Sequence, residues 1–121
     1  MAISYVGGKG AGVAGVASGT FNVTLTSGWG GGSGGNPLTG DLVVIIVAAG
    51  CASSRAPTLT ISGYSNTTVQ RKTGTTYQSN SQVSYKFMGA TPDTSVDIPN
   101  SGNSADGLGY DIMVFRGVSQ T

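Results

Sequence analysis

The sequence contains no histidine and no glutamate. These two absences remove most of the general acid–base chemistry that works near neutral pH, and with it any Ser–His or Cys–His nucleophile. Cysteine occurs once, at Cys51, so neither an intrachain disulfide nor a multi-cysteine zinc site can form. At the end of an apolar run that thiol reads as buried and inert. Charge is scarce too. Only 9% of the 121 residues are charged and the formal net charge is +1, where about a quarter of a soluble domain is usually charged. Such a surface exerts little pull on nucleic acid or anionic lipid, so neither is expected as a partner. The longest apolar run, "LVVIIVAA", is far short of the ~20 residues that cross a bilayer as helix. The N-terminal "MAISYVGGKGAGVAGVASG" has no charged stretch leading into a continuous apolar core, so no secretion signal is expected.

What is present points to strands. With 21 glycines, no glutamate and few lysines, long helices are improbable. In "TFNVTLT", Phe21, Val23 and Leu25 alternate with Thr20, Asn22, Thr24 and Thr26, the pattern of a half-buried strand. "LVVIIVA" is apolar on both faces and reads as a central strand covered on both sides. "TLTIS" alternates through Leu59 and Ile61. "TTVQRKT" is more polar and reads as an edge, where Arg71 and Lys72 discourage unwanted pairing. "QVSYKFM" is expected to place Val83, Tyr85 and Phe87 inside and Ser84 and Lys86 outside. "TSVDIP" turns Val96 and Ile98 inward, and Pro99 closes it. "YDIMVFRG" is the last strand, apolar on both faces and expected to pack on the same core as Leu42–Val47. Seven or eight short strands broken by Gly, Pro, Asn and Ser imply one all-β domain over 1–121, an antiparallel β-sandwich of jelly-roll or immunoglobulin-like type. No repeat of fixed period argues for a propeller or solenoid.

Two loops stand out, "GWGGGSGGNPLTG" within about 27–40 and "PNSGNSADGLG". The first has the glycines of a phosphate-cradling loop but precedes its strand, opens no helix and lacks a Gly-Lys-Ser/Thr ending. It is therefore expected to be structural. Asp93 and Asp97 are the closest carboxylate pair, the minimum for glycoside hydrolysis, yet they read as a turn residue and a strand residue in water. "DGLGYD" lacks the oxygen ligands of a calcium loop. No metal or cofactor is expected. "NVT" at Asn22 and "NTT" at Asn66 match glycosylation acceptors. The remaining candidates are aromatics: Trp29 in the glycine-rich loop, and Tyr64 and Tyr77 in or beside turns. Such side chains can stack on sugars or anchor a protein interface. For Trp29 the competing reading is a lid folded over one end of the core.

Three segments, "TGDLVVIIVAAG", "VSYKFMGATPDTSVDIP" and "GYDIMVFRGV", together resemble a module found in virion proteins of tailed bacteriophages. In that module a "GDLL"-like start leads a buried strand, a "YK"-like strand precedes a Thr/Ser stretch, and a strand ends in "RGV". The likeness runs from about Gly40 to Val118. It implies a β-sandwich of tail fibres, appendages or capsid decoration, located in the virion and made in a bacterial cytoplasm. It also implies assembly with other virion proteins and a homo-oligomer, with a trimer favoured, and it carries over no catalytic residue. The alternative function is a carbohydrate-binding module for host or environmental glycans.

Overall fold

The computed structural model describes residues 2–14, 20–55, 57–99 and 107–120. Every regular element among them is a strand: β1 (Ser4–Ala14), β2 (Thr20–Thr24), β3 (Leu42–Ala52), β4 (Ser65–Asn66), β5 (Gln70–Thr73), β6 (Tyr77–Phe87), β7 (Ser95–Pro99) and β8 (Gly107–Arg116). Six form one antiparallel sheet in the order β1-β8-β3-β6-β4, with β5 also paired to β6. β2 and β7 pair separately. The fold is an all-β antiparallel sandwich with unequal layers.

Alternation decides what lies between those layers. Val43, Ile45 and Val47 of β3 and Ile112 and Val114 of β8 face inward, where Val23 and Leu25, then Val96 and Ile98, come from the β2–β7 side. Burying each such side chain contributes roughly 1.5–3 kcal/mol. β2, β7 and the fully exposed β5 follow the sequence expectation, as does β8, which lies between β1 and β3. The side chain of Phe21 and residues 100–106 of the second long loop lie outside the described residues.

Four features depart from that expectation. First, "SYVGGKGAGVA" forms β1, a strand the sequence does not advertise. Glycine is a poor strand former, but here it permits close approach. A Cβ at Gly10 would stand 2.6 Å from the Tyr110 carbonyl oxygen. Second, "TLTIS" alternates between exposed and buried residues but pairs with no described strand. Leu59 and Ile61 fill the core, while the Asn66 side chain substitutes for a neighbouring strand. Its Oδ1 accepts from the Ile61 amide at 2.9 Å, and its Nδ2 donates to the carbonyls of Ile61 at 3.1 Å and Tyr64 at 2.7 Å.

Third, β6 presents the opposite face to the one expected. Gln78, Asn80, Gln82 and Ser84 are buried, whereas Val83 and Tyr85 are exposed. Register with β3 fixes this, pairing Val47 with Gln82 and Ile45 with Ser84 on the inner side. Burial of these groups is tolerable because most of their polar atoms have partners, Gln82 Oε1 being an exception among the described residues. Ser84 Oγ donates to Asn66 Oδ1 at 2.5 Å, Gln82 donates to the Thr67 carbonyl, and Asn80 accepts from Arg71 at 2.5 Å. Gln78 and Asn80 also donate toward the Cys51 sulfur at 3.3 and 3.5 Å.

Fourth, the β3 and β8 strands are covered on one side only. Their second apolar face is the outside of the six-stranded sheet, and no described strand lies over it.

The glycine-rich loop is docked, not slack. Gly8 and Gly30 exchange two backbone hydrogen bonds at 3.0 and 2.9 Å, and Ser33 and Gly34 donate to the carbonyls of Tyr5 and Val6 at 3.2 and 2.8 Å. These bonds occupy part of the free edge of β1, which would otherwise offer unpaired groups to another chain.

Candidate functional site

The strand registers order the outer face of the large sheet into rows running across β1, β8, β3 and β6. The first row is Tyr5, Phe115, Leu42 and Phe87; the second holds Met113, Val44 and Tyr85. In the third, Asp111, Ile46 and Val83 lie side by side. Tyr5, Ile46, Val83 and Tyr85 keep 42, 39, 37 and 43% of their surface exposed. Tyr5 also packs on Phe115 with ring centroids 5.7 Å apart. Beyond the third row the side chains shrink abruptly to Gly12, Gly109, Ala48 and Ser81, then Gly107, Gly50 and Ser79. The result is a raised apolar half beside an open trough of about 460 Å³ lined by Gly10, Gly12, Ala48 and Gly109, among others. Large contiguous apolar surface often marks a contact surface in proteins, which makes this face a candidate. Sequence reading misses it because it turned Val83, Tyr85 and Phe87 inward.

The three aromatic candidates do not come together. Trp29 sits at the β1 edge, half-buried against the core, with its indole Nε1 donating to the Leu25 carbonyl at 3.0 Å. Lys9 Nζ lies 4.6 Å from the ring centroid. That is the lid arrangement rather than an open stacking platform. Burial also lowers the Lys9 pKa below its usual value. Tyr77 is 73% exposed at the start of β6, on the trough side of the outer face and opposite Ala52. Tyr64 is buried on the other side of the sheet, with Lys86 Nζ 5.6 Å from its ring centroid.

No family model, curated protein or solved structure matches the chain.

Tyr64 lines a second feature, a depression of about 270 Å³ shared with Asn22, Ser62, Lys86, Asp93 and Asp97. The carboxylate pair singled out in the sequence thus borders one hollow. Both oxygens of Asp93 are held by Lys86 at 2.8 and 2.9 Å, and Asp97 accepts from Asn22 at 3.0 Å. Burial first, then the Asp93 carboxylate, raises the Tyr64 pKa and keeps its phenol protonated. That hydroxyl has no hydrogen-bond partner among the described residues. The hollow offers donors and acceptors suited to a hydroxyl-rich ligand. Among the described residues no cluster of three metal-ligating side chains occurs, and no helix is long and apolar enough to cross a membrane. The Asn66 amide nitrogen already donates twice, which leaves it badly placed as a glycan acceptor.

The two ends of the Gly40–Val118 segment meet in space. Arg116 of "FRGV" grips Asp41 of "TGDL" through two bonds, Nε to Oδ1 at 2.9 Å and Nη2 to Oδ2 at 2.7 Å. The Leu38 amide adds a third at 2.8 Å. Burial alone would raise the Asp41 pKa, but Arg116 and the Leu38 N–H outweigh it and hold the carboxyl below its ordinary value. The pair ties the start of β3 to the end of β8. Its role is structural.

Proposed function

We propose that the chain is a non-enzymatic structural component of a bacteriophage virion, as capsid decoration or as part of a tail fibre or appendage, acting through protein–protein assembly. The observation that carries this reading is the six-stranded sheet with a core on one face and a contiguous apolar surface on the other. Such a surface is useful to a molecule that works by being covered. The weak charge of the chain suits packing among copies and neighbours more than recruitment of nucleic acid. The resemblance of "TGDLVVIIVAAG" and "GYDIMVFRGV" to virion modules supplies the biological setting. Density-gradient purification of particles made with a tagged copy provides the test. Stoichiometric tag in the particle band is expected; a tag found only in the soluble fraction would remove the reading.

A second reading, a carbohydrate-binding module, is favoured by the polar hollow beside Tyr64. Glycan-array binding that is lost in Asp97→Asn and retained in Trp29→Ala would select it over assembly.

A further inference from the structure

We infer that the outer face of the six-stranded sheet is a self-complementary surface, and that its occupant is a second copy of this chain. The inference rests on the structural reading above and names the partner of that same surface. Three observations bear on it.

The first is shape. The face divides along the strands into a raised half around Val44, Met113 and Tyr85 and a recessed half around Ala48, Gly109 and Gly12. A two-fold axis lying in the contact plane, across the strands and through the Ile46 row, places the raised half of each copy over the recessed half of the other. Val44 then opposes the partner's small row at Ala48. An isologous contact needs this kind of self-match, since one patch must serve both sides. It closes at two copies, in contrast to the three-fold assembly that the resemblance implies.

The second is area. Four strands about 4.8 Å apart, over ten residues rising about 3.4 Å each, give a footprint of roughly 650 Å² per copy. Two such faces amount to about 1,300 Å², within the range of stable protein interfaces. Two sheets meeting face to face are also the ordinary way in which a sandwich hides apolar strands.

The third is charge. Two charged side chains lie in the rows, Asp111 beside Ile46 and Lys72 of β5 beside Ser79. The axis through the Ile46 row sets Asp111 against its own copy, so Asp111→Asn should tighten the pair. With one charge of each sign, the surface lacks the charge density that selects an oppositely charged partner.

The test is sedimentation equilibrium of the full chain, with thermal unfolding followed by circular dichroism to verify that each variant folds. Wild type is expected to be a dimer at micromolar concentration. Val44→Lys and Ala48→Asp should each raise the dimer dissociation constant by at least about tenfold while leaving the unfolding transition cooperative. Mixing the two variants should restore a 1:1 pair, because the new lysine and aspartate oppose one another. Wild type that stays monomeric at high micromolar concentration would overturn the inference. So would a dimer indifferent to both substitutions, or variants that fail to pair when mixed. Particle incorporation separates the two claims. A monomer that still enters particles, but not as Val44→Lys, uses this face for a different protein, which refutes the second copy and keeps the structural role. A dimer that never enters particles keeps the pairing and loses the role.

Discussion

Removing Arg116 should destabilise the chain by an amount set by what it leaves behind. Asp41 is only 1% exposed, and its two oxygens accept from Arg116 and from the Leu38 amide. Breaking a fully buried ion pair from one side costs about 3–5 kcal/mol, because a charge stays behind without its partner. The Arg116 side chain is 39% exposed, so water can enter where the guanidinium was, and the Leu38 N–H remains. Arg116→Met should therefore fall nearer 2–3 kcal/mol, a large share of a domain's total of about 5–15. With a urea dependence of about 1–3 kcal/mol per molar, the midpoint should move down by roughly 0.7–3 M.

The pH dependence gives an independent reading of the same pair. The folded Asp41 pKa is lowered from an ordinary 3.8, so the unfolded chain takes up the proton first as pH falls. The stabilisation is complete above the unfolded value and is lost as pH drops through the folded one. Wild type should thus hold its urea midpoint from pH 7 down to pH 5, then lose stability below about pH 4. Asp41→Asn should start lower and lose less over that acid range. Equal midpoints for Arg116→Met and wild type at pH 7 would refute the burial argument. An unchanged acid loss in Asp41→Asn would refute the linkage.

Three further outcomes follow from local geometry. Gly32→Ala should cost about 2 kcal/mol, because φ is +59° there and a Cβ would stand 2.6 Å from the Val6 carbonyl. Faster hydrogen exchange at the Gly34 amide would confirm that the loop had lifted from β1, and unchanged protection would count against the docking. Asn66→Ala strips partners from Ile61, Tyr64 and Ser84 and should lower stability by about 2–4 kcal/mol in urea unfolding, since several groups lose their bonds together; a loss under ~0.5 kcal/mol would mean that water replaces the side chain without penalty. Deleting Tyr110–Thr121 removes most of β8 from between β1 and β3 and should abolish cooperative unfolding, so a soluble deletion variant with a sharp melt would contradict the sheet order.

Legibility in the sequence tracks how far one strand can be judged without its neighbours. β2 and β7 have one apolar and one polar face, so Val23, Val96 and Ile98 were readable as core. β1 was invisible because its glycines are selected by close backbone approach at Gly10, a contact with β8 that no local pattern encodes. "TLTIS" has a strand's pattern, but its hydrogen bonds go to the Asn66 side chain, so alternation reported burial correctly and pairing wrongly. Nor do the aromatic candidates make a site, because Trp29, Tyr64 and Tyr77 are distributed over a β1-edge loop, the inner layer and the outer face.

β6 is the instructive failure. Its apolar residues face outward while four uncharged polar ones are buried among dedicated partners. Hydrophobicity alone assigns the faces the wrong way round, since it cannot see that most of the inner polar groups find partners while Gln82 Oε1 does not. β3 and β8 could not correct the error, being apolar on both faces. That double apolarity is nevertheless the sequence feature on which the proposed assembly role rests. A strand needs apolar residues on two faces only if both are covered, yet the described residues supply one layer, on the side of Val43, Ile45 and Ile112. The opposite side, at Val44, Ile46 and Met113, carries no described layer, and under the proposed pairing the trough at Ala48 and Gly109 would take the side chains of a second copy.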